Sequence, residues 1–522
     1  MELVAPQAPC LSQATLDALP PEVARPGYDR SALRIGIVHL GLGAFARAHL
    51  AAVNDAALRA GDLGGGSGHD WGICGVSLRQ AGTRDALAPQ DGLYALALSD
   101  ADEHGAPRQR IAVIGCLLET LVAPEDPGAV LARIAAADTR IVSVTVTEKG
   151  YCHDPASGRL DFTHPDIVHD LATPDAPRST IGFLVRGLER RRASGLGPIT
   201  VMSLDNLHAN GRLLGEMVLA FAARVDTGLA DWIASGCTYP CSMVDRIVPR
   251  TTDANRQEIG QALGLNDAWP VLAEPYLEWV VEDRFAAGRP DWTAGGARFV
   301  QDAAPFESLK LRMVNGAHSA LAYLSVMAGW KTVDEAMAQP GMARYLHELM
   351  RAEIEPTLPA LPGLDVAQYR RRLLQRFANP ALRHQTRQIA MDGSQKLPQR
   401  LLDTVRDRLA SGSPITGLAL AVAGWLHFLR GVDQAGRRYE IQDPMAAALA
   451  ARHAQAERAA REAGDGPAAM LAWAGEMMGA QAVFGDLGRD PRFLRAVAEA
   501  VQSLRSLGVA GTLAAAYSPR PA

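Results

Sequence analysis

Cysteine is scarce in this chain: six residues in 522, at Cys10, Cys74, Cys116, Cys152, Cys237 and Cys241. So thin a scatter excludes a disulfide framework and is expected of a protein from a reducing, cytoplasmic compartment. The one close pair, Cys237-Thr-Tyr-Pro-Cys241, has no second pair or histidine beside it, so no zinc site is read there. Long apolar runs are missing too. None approaches the ~20 residues that span a bilayer. The stretch from Met1 to Pro20 has no basic start followed by an apolar core, so neither a membrane segment nor a secretory signal is expected. Lysine is rare beside arginine, a bias that favours helices and by itself says nothing about chemistry. There is no basic excess: the net charge of −5 leaves no electrostatic footprint for nucleic acid. What is present is an ordinary globular balance, 48% hydrophobic, in a chain long enough for two domains.

After a proline-studded entry segment, residues 1–32, comes Arg34-Ile-Gly-Ile-Val-His-Leu40, an apolar run of strand length. It feeds Gly41-Leu-Gly43-Ala-Phe-Ala-Arg47-Ala-His49, and a helical pattern continues to about Ala60. Strand, glycine turn and helix together give a dinucleotide-binding motif a mechanism. Gly41 permits the tight turn, Gly43 lets backbone approach a pyrophosphate, and the amides of the helix start receive its charge. Ala46 stands at the third glycine position, and the alternative is an ordinary strand–helix turn. Residues 61–70 read as a flexible glycine loop. A second strand, Trp71 to Leu78, ends in Ser77-Leu78-Arg79-Gln80, without the acid that usually holds ribose hydroxyls. The first acid is Asp85, and Arg79 suits a ribose phosphate, so NAD and NADP both stand. Further strands are read at 91–98 and 110–117, and a helix at 126–137.

Three later strands end in polar residues. Ile141-Val-Ser-Val-Thr-Val-Thr147 runs into Glu148-Lys149-Gly150-Tyr151. Ile199–Ser203 runs into Leu204-Asp205-Asn206, with Asn210 beyond, and a third ends at Met243-Val-Asp245-Arg246. Ligands of open α/β sheets gather at the carboxyl ends of strands, so three such ends along one sheet edge mark a candidate site. Glu148 and Lys149 are candidates for contacts near a nicotinamide, or else a solvated loop ion pair. Asn206 brings an amide that donates to a carbonyl oxygen without titrating.

From about residue 301 the strand signal fades. Helical periodicity follows, in segments such as 305–328, 366–377, 383–391, 397–410, 415–430 and 490–518. The expected domains are therefore 1–300, a doubly wound α/β domain, and 301–522, nearly all α. The second opens on Glu307-Ser-Leu-Lys310-Leu-Arg-Met-Val-Asn315-Gly-Ala-His318. At about 100° per residue, with Glu307 at zero, Lys310 falls at roughly 300°, His318 at roughly 20° and Asn315 at roughly 80°. Carboxylate, amine, amide and imidazole then share one face, while Leu309 and Met313 point into a core. The alternative is a solvated stripe on an amphipathic helix. A second cluster runs from Met391-Asp-Gly393 to Lys396 and Arg400, where one helix stops at Gly393 and another starts. It either turns its cations toward an anionic or hydroxylated substrate or is a plain helix corner.

Together these motifs resemble the polyol-specific long-chain dehydrogenases, over nearly the whole chain. The resemblance is carried by the 41–49 turn, Thr145–Tyr151, Ser203–Asn206, Met243–Pro249, the Lys310-x-x-x-x-Asn315-x-x-His318 spacing and Asp392-Gly-Ser-Gln-Lys396. That family includes mannitol 2-dehydrogenase and fructuronate reductase (D-mannonate oxidoreductase). Lys149, and Gln388 within the stretch Pro380–Arg400, look more like the reductases. Arg387 and Leu204 depart from them, in place of tryptophan and cysteine. The resemblance implies a Rossmann domain binding NAD, with NADP not excluded, through Gly41, Gly43, Ala44, Phe45, Arg47 and Glu148. The helical domain it implies is like that of 6-phosphogluconate dehydrogenase. It assigns Lys310 as general acid/base, Asn206 and Asn315 as the pair holding the reacting oxygen, and Glu307 as the carboxylate passing protons to solvent. His318, Asp245 and Lys396 are its substrate-binding positions, with Arg387 and Lys149 as further candidates. It implies no metal, and a monomer or weak dimer. The expected reaction is hydride transfer interconverting D-fructuronate and D-mannonate. A free lysine titrates near 10.4, so Lys310 needs burial or a second cation such as Lys396 to act near neutrality. The rival readings are a mannitol or other polyol dehydrogenase, and a non-catalytic NAD-binding regulator.

Overall fold

The computed structural model describes residues 8–61, 70–101, 107–154, 157–361 and 363–517; most of the glycine loop expected at 61–70 lies outside them. The chain divides into two compact units, one ending at Ala304 and the other running from Pro305.

The first unit holds the strands β1 (Ile35–Leu40), β2 (Gly72–Ser77), β3 (Tyr94–Ala101), β4 (Pro107–Ile114), β5 (Leu117–Val122), β6 (Ile141–Val144), β7 (Thr200–Ser203), β8 (Ser242–Asp245), β9 (Val271–Ala273), β10 (Glu278–Glu282) and β11 (Ala297–Val300). Five of them form a parallel sheet in the order β5-β2-β1-β6-β7. Alternating residues bury both faces. Val38, Leu40, Val76, Val142 and Val144 pack with Leu131, Ile134, Phe183 and Leu184 of the helices Pro127–Ala135 and Thr180–Ala193. Ile37, Ile73 and Ile141 pack with Leu50, Val53 and Leu58 of the helix Leu50–Ala60. A sheet covered on both sides favours apolar residues on both faces of its central strands, as in the run Arg34–Leu40; the buried polar exceptions pair with each other, His39 with the Ser143 hydroxyl at 2.9 Å. The strand order reverses between β1 and β6, and ligands of such sheets settle at that switch point.

Several expectations are corrected. The helix after the glycine turn is two helices, Ala44–Ala48 and Leu50–Ala60, broken at His49 (φ −114°, ψ −82°). The run at 110–117 is the end of one strand and the start of another. β4 pairs antiparallel with β3, while β5 joins the parallel sheet beside β2. The third polar strand end, on β8, belongs to a separate sheet ordered β11-β10-β8. Asn210 ties the start of β8 to the end of β7: its amide donates to the carbonyls of Ser203, Asp205 and Ser242 at 3.3, 2.9 and 2.8 Å.

The second unit is helical. Its centre pairs Ala317–Ala328 with Thr416–Phe428, a helix buried on all sides from Gly417 to Phe428. Helices apolar all round belong in a core. Leu321, Leu324, Trp425, Leu426, Trp473 and Phe493 make up part of that core. The helix expected at 383–391 shrinks to Thr386–Ile389, and the long last helix, Pro491–Tyr517, is interrupted at Gly508. A helix starts at Gly393 rather than stopping there. Its cap is distant: the backbone N–H and hydroxyl of Ser394 donate to Asp443 at 2.8 and 2.5 Å. A Cβ at position 393 would lie 2.3 Å from the indole nitrogen of Trp425, so glycine is required there by close approach. No helix among the described residues is long and apolar enough to cross a membrane.

Candidate active site

In the first unit the candidate residues begin at the turn after β1. Gly41 has φ +96°, and a Cβ there would lie 2.1 Å from the carbonyl oxygen of Thr145. Gly43, which precedes the helix Ala44–Ala48, is exposed, and a Cβ on it would meet nothing closer than 3.8 Å. The turn is thus tight against the sheet and open outward, the shape a pyrophosphate needs to reach backbone amides. Ala44 and Phe45 follow, partly buried, with the Phe45 ring stacked on His49 at 5.0 Å. The Arg47 side chain is no part of the open face. It turns inward, 5% exposed, donates to the Trp269 carbonyl at 2.5 Å and lies 5.2 Å from the Tyr94 ring. Burial pushes its pKa down to about 10. Its side chain braces the turn from inside.

At the end of β6, Glu148 and Lys149 are exposed on a tight turn, Glu148–Tyr151, with Glu148 3.9 Å from His153. At the end of β7, Asn206 is exposed and Asp205 is buried beneath it. Asp205 accepts the backbone N–H groups of Val146 and Thr147 and the Tyr151 hydroxyl. Asp245 closes β8, 7% exposed and paired in the ladder with Glu278. Next to it, Arg246 donates to the carbonyls of Glu274 and Ala48 at 3.0 and 2.5 Å, tying this strand end to the helix of the glycine turn.

In the second unit the expected helical face is distorted. An α-helix, Ala304–Leu309, passes into a π-helix, Lys310–Gly316, and returns to α at Ala317. Angles drawn at 100° per residue therefore do not hold across the stretch, because a π-turn closes over one extra residue. The polar groups still face inward: Lys310, Asn315 and His318 are 7%, 8% and 7% exposed, with Leu309 and Met313 fully buried in the core. Glu307 is half-buried in the preceding turn.

Two buried atoms on this face, Nδ2 of Asn315 and Nε2 of His318, have no hydrogen-bond partner among the described residues. Leaving such an atom unpaired costs about 1–3 kcal/mol, so each calls for a partner from outside the chain. The His318 ring stacks on Phe377 at 4.0 Å and meets the edge of His384 at 5.7 Å. Burial first, then His384, Arg376, Arg400 and Lys310, hold its pKa well below the usual value, so the imidazole is neutral among cations. Burial likewise takes His384 down to about 4. Arg400 donates to the Ser319 hydroxyl at 3.2 Å. Lys396 donates to the Met391 carbonyl at 2.6 Å and lies 3.7 Å from Asp392; burial and then Arg400 lower its pKa. Arg387 stands apart, exposed and 5.4 Å over the Tyr439 ring. Arg376, Phe377 and His384 were not expected here. Arg376 and Phe377 end the helix Val366–Phe377, which carries so many arginines that Arg376 looks like one more surface charge, and His384 lies in the loop beyond it.

An open parallel sheet whose order reverses beside a glycine turn is the fold of a Rossmann-type dehydrogenase. Comparison with known proteins narrows this. Residues 35–294 match the mannitol dehydrogenase Rossmann domain and residues 302–505 the mannitol dehydrogenase C-terminal domain. The chain belongs to the mannitol dehydrogenase family and is an oxidoreductase of it. It is 44% identical to the D-mannonate oxidoreductase of Escherichia coli K12, over 94% of this chain and 98% of that protein. It is 39% identical to the mannitol 2-dehydrogenase of Phaeosphaeria nodorum, over 94% and 83%. Among solved structures, Pseudomonas fluorescens mannitol 2-dehydrogenase in a ternary complex with NAD and D-mannitol is similar, with TM-score 0.83 and 37% identity over 96% and 98% of the two chains.

Proposed function

We propose that this protein interconverts D-fructuronate and D-mannonate with NAD. The observation that carries the reading is the setting of His318. A neutral imidazole with an unpaired nitrogen lies within electrostatic reach of Arg376, Arg400 and Lys310. Three cations around one buried polar face suit a substrate that brings its own negative charge, as a sugar acid does and a polyol does not. Of the candidates Lys149, Arg387, Lys396 and Arg400, the carboxylate is assigned to Arg400, whose charge acts on His318, with Arg376 acting on the same ring.

The cofactor, held by the turn of Gly41, Gly43, Ala44 and Phe45 and by Glu148, supplies or takes the hydride. The chain's own groups do the rest. Lys310 gives the substrate oxygen its proton and removes it in the reverse direction. The unpaired amide of Asn315 donates to that oxygen as charge builds on it, and Asn206 is the second such donor. Neutral amides stabilise the charge without competing for the proton. His318 Nε2 takes a neighbouring sugar hydroxyl. Glu307, half-buried, relays the proton to water. Asp245, Lys396 and Lys149 complete the substrate contacts.

A second reading, a polyol dehydrogenase, is favoured by the mannitol-bound structural relative. Purified protein assayed with D-fructuronate and D-fructose, each with NADH and NADPH, separates the two. The expected result is a kcat/KM at least 100-fold higher for fructuronate, with NADH preferred. Arg400→Met is expected to raise the KM for fructuronate by about 10- to 100-fold, the worth of one charge-assisted hydrogen bond, and to leave fructose unaffected. Equal use of the two sugars supports the polyol reading, and turnover of neither leaves a binding protein.

A further inference from the structure

Thr147 has φ +60° and ψ 170°. That region is open to glycine and nearly closed to L residues, most of all to β-branched ones. Cys152, at the other end of the same turn, is also left-handed, at φ +51°. The segment carrying Glu148 and Lys149 is therefore bounded by two non-glycine residues that relaxed backbone would not place there. Strained backbone persists only where its surroundings over-determine it.

Asp205 does so here. Its carboxylate accepts the N–H of Val146 at 3.0 and 3.1 Å and the N–H of Thr147 at 2.9 Å. It also accepts the Tyr151 hydroxyl at 2.9 Å, and that hydroxyl lies 2.5 Å from Ser203 Oγ. Donors from both ends of the turn thus converge on one buried carboxylate of the neighbouring strand end. The Tyr151 side chain is fully buried, so the outer part of the turn is anchored from inside while Glu148 and Lys149 stay exposed. One residue upstream of Val146, the Thr145 hydroxyl donates to the Gly41 carbonyl at 2.8 Å. The same backbone stretch therefore sets the glycine turn.

We infer that Asp205 is a positioning residue of the dehydrogenase. It holds the 147–151 turn in its strained form so that Glu148 and Lys149 are in place before cofactor and substrate arrive. This rests on the reading above for what Glu148 and Lys149 contact, and its physical basis is pre-organisation: a displacement near 1 Å at a positioning element costs about 100-fold in rate.

The test uses the full-length protein and three readouts: NADH affinity by fluorescence, kcat/KM for D-fructuronate, and melting temperature. Asp205→Asn keeps the size of the side chain and removes the charge and one acceptor. Its expected effect is about a 100-fold loss in kcat/KM with weakened NADH binding. Thr147→Gly alone removes the strain and is expected to raise the melting temperature, with kcat/KM within about twofold of the parent. Added to Asp205→Asn it is expected to recover about tenfold in kcat/KM, because glycine adopts the same backbone angles unaided. Should Asp205→Asn not fold, Tyr151→Phe, which removes one of the converging donors, is expected to move NADH affinity and kcat/KM in the same direction by a smaller factor. A lowered melting temperature with NADH affinity and kcat/KM both unchanged would overturn the inference and leave Asp205 purely structural. If the parent protein turns over no sugar acid, the functional reading fails separately, and NADH affinity still decides this one.

Discussion

Lys310 is one of only four lysines in the chain; the others are Lys149, Lys331 and Lys396. Three of the four lie in the candidate site stretches, in a protein that otherwise uses arginine. Arginine does not release its proton under ordinary conditions, whereas a lysine amine does so when its surroundings allow. The scarcity of lysine, which as bare composition says nothing, thus fits the proposal that an amine is kept where the reaction uses one. Lys310→Arg keeps the charge and loses the proton exchange. It is expected to lower kcat by about 100- to 10,000-fold while changing substrate KM little; near-normal turnover would take the acid/base role away from Lys310. Asn315→Ala is expected to lower kcat by about 100-fold or more, as the loss of one donor to a developing oxyanion does. Both are read from steady-state kinetics with the sugar acid. The core positions beside them were legible: Leu309 and Met313 are fully buried where the pattern put them. Arg376 and His384 were not: nothing local distinguishes Arg376 from the other charges of its helix, and His384 comes from the loop beyond it.

The element that orients these groups is the π-helix Lys310–Gly316. Apolar spacing does not reveal it. One extra residue in a turn rotates the later positions, and a broad buried face absorbs the rotation without exposing a hydrophobic side chain. Single π-turns inside α-helices recur at functional sites, and here the distortion falls on the segment with the amine and the amide. Deleting Leu311, a half-buried residue within it, is expected to restore a regular α-helix and turn Lys310 by about 100° relative to Asn315. The predicted result is a folded protein, with an unchanged far-ultraviolet circular dichroism spectrum and a melting temperature within a few degrees of the parent, but with turnover lost. Retained turnover would show that the π-turn has no part in aligning the two groups.

For the molecule as a whole, buried imidazoles set the response to acid. Burial holds His39 and His384 at about 4 and His427 at about 3, and it keeps His318 well below the ordinary value. In the unfolded chain each titrates near 6.5. Between pH 6.5 and 4 the unfolded state therefore binds protons that the folded state refuses, and stability falls as pH falls. Buried carboxyls with raised pKa, among them Asp205, Asp267 and Glu353, work the other way and offset part of this at the acid end. A calorimetric series is expected to show a melting temperature that is level from pH 8 to 7 and declines steadily below 6.5. A level course down to pH 5 would mean that these imidazoles are charged in the folded protein.

The class was legible before any folding was considered. A strand, a glycine turn and a helix in succession, strands ending in polar groups and a lysine, an asparagine and a histidine at fixed spacing are local or near-local patterns. Local backbone chemistry and hydrophobic periodicity are enough to read them. Three-dimensional packing was needed to learn which charges surround His318, that Arg47 faces inward and that Asp443 caps a helix some fifty residues away. The same is true of the hold that Asp205 has on a strained turn from the next strand. Those facts depend on which distant segments each unit's core brings side by side, and the burial that holds the pKa of His318 down and that of Asp205 up exists only once the chain has closed over them.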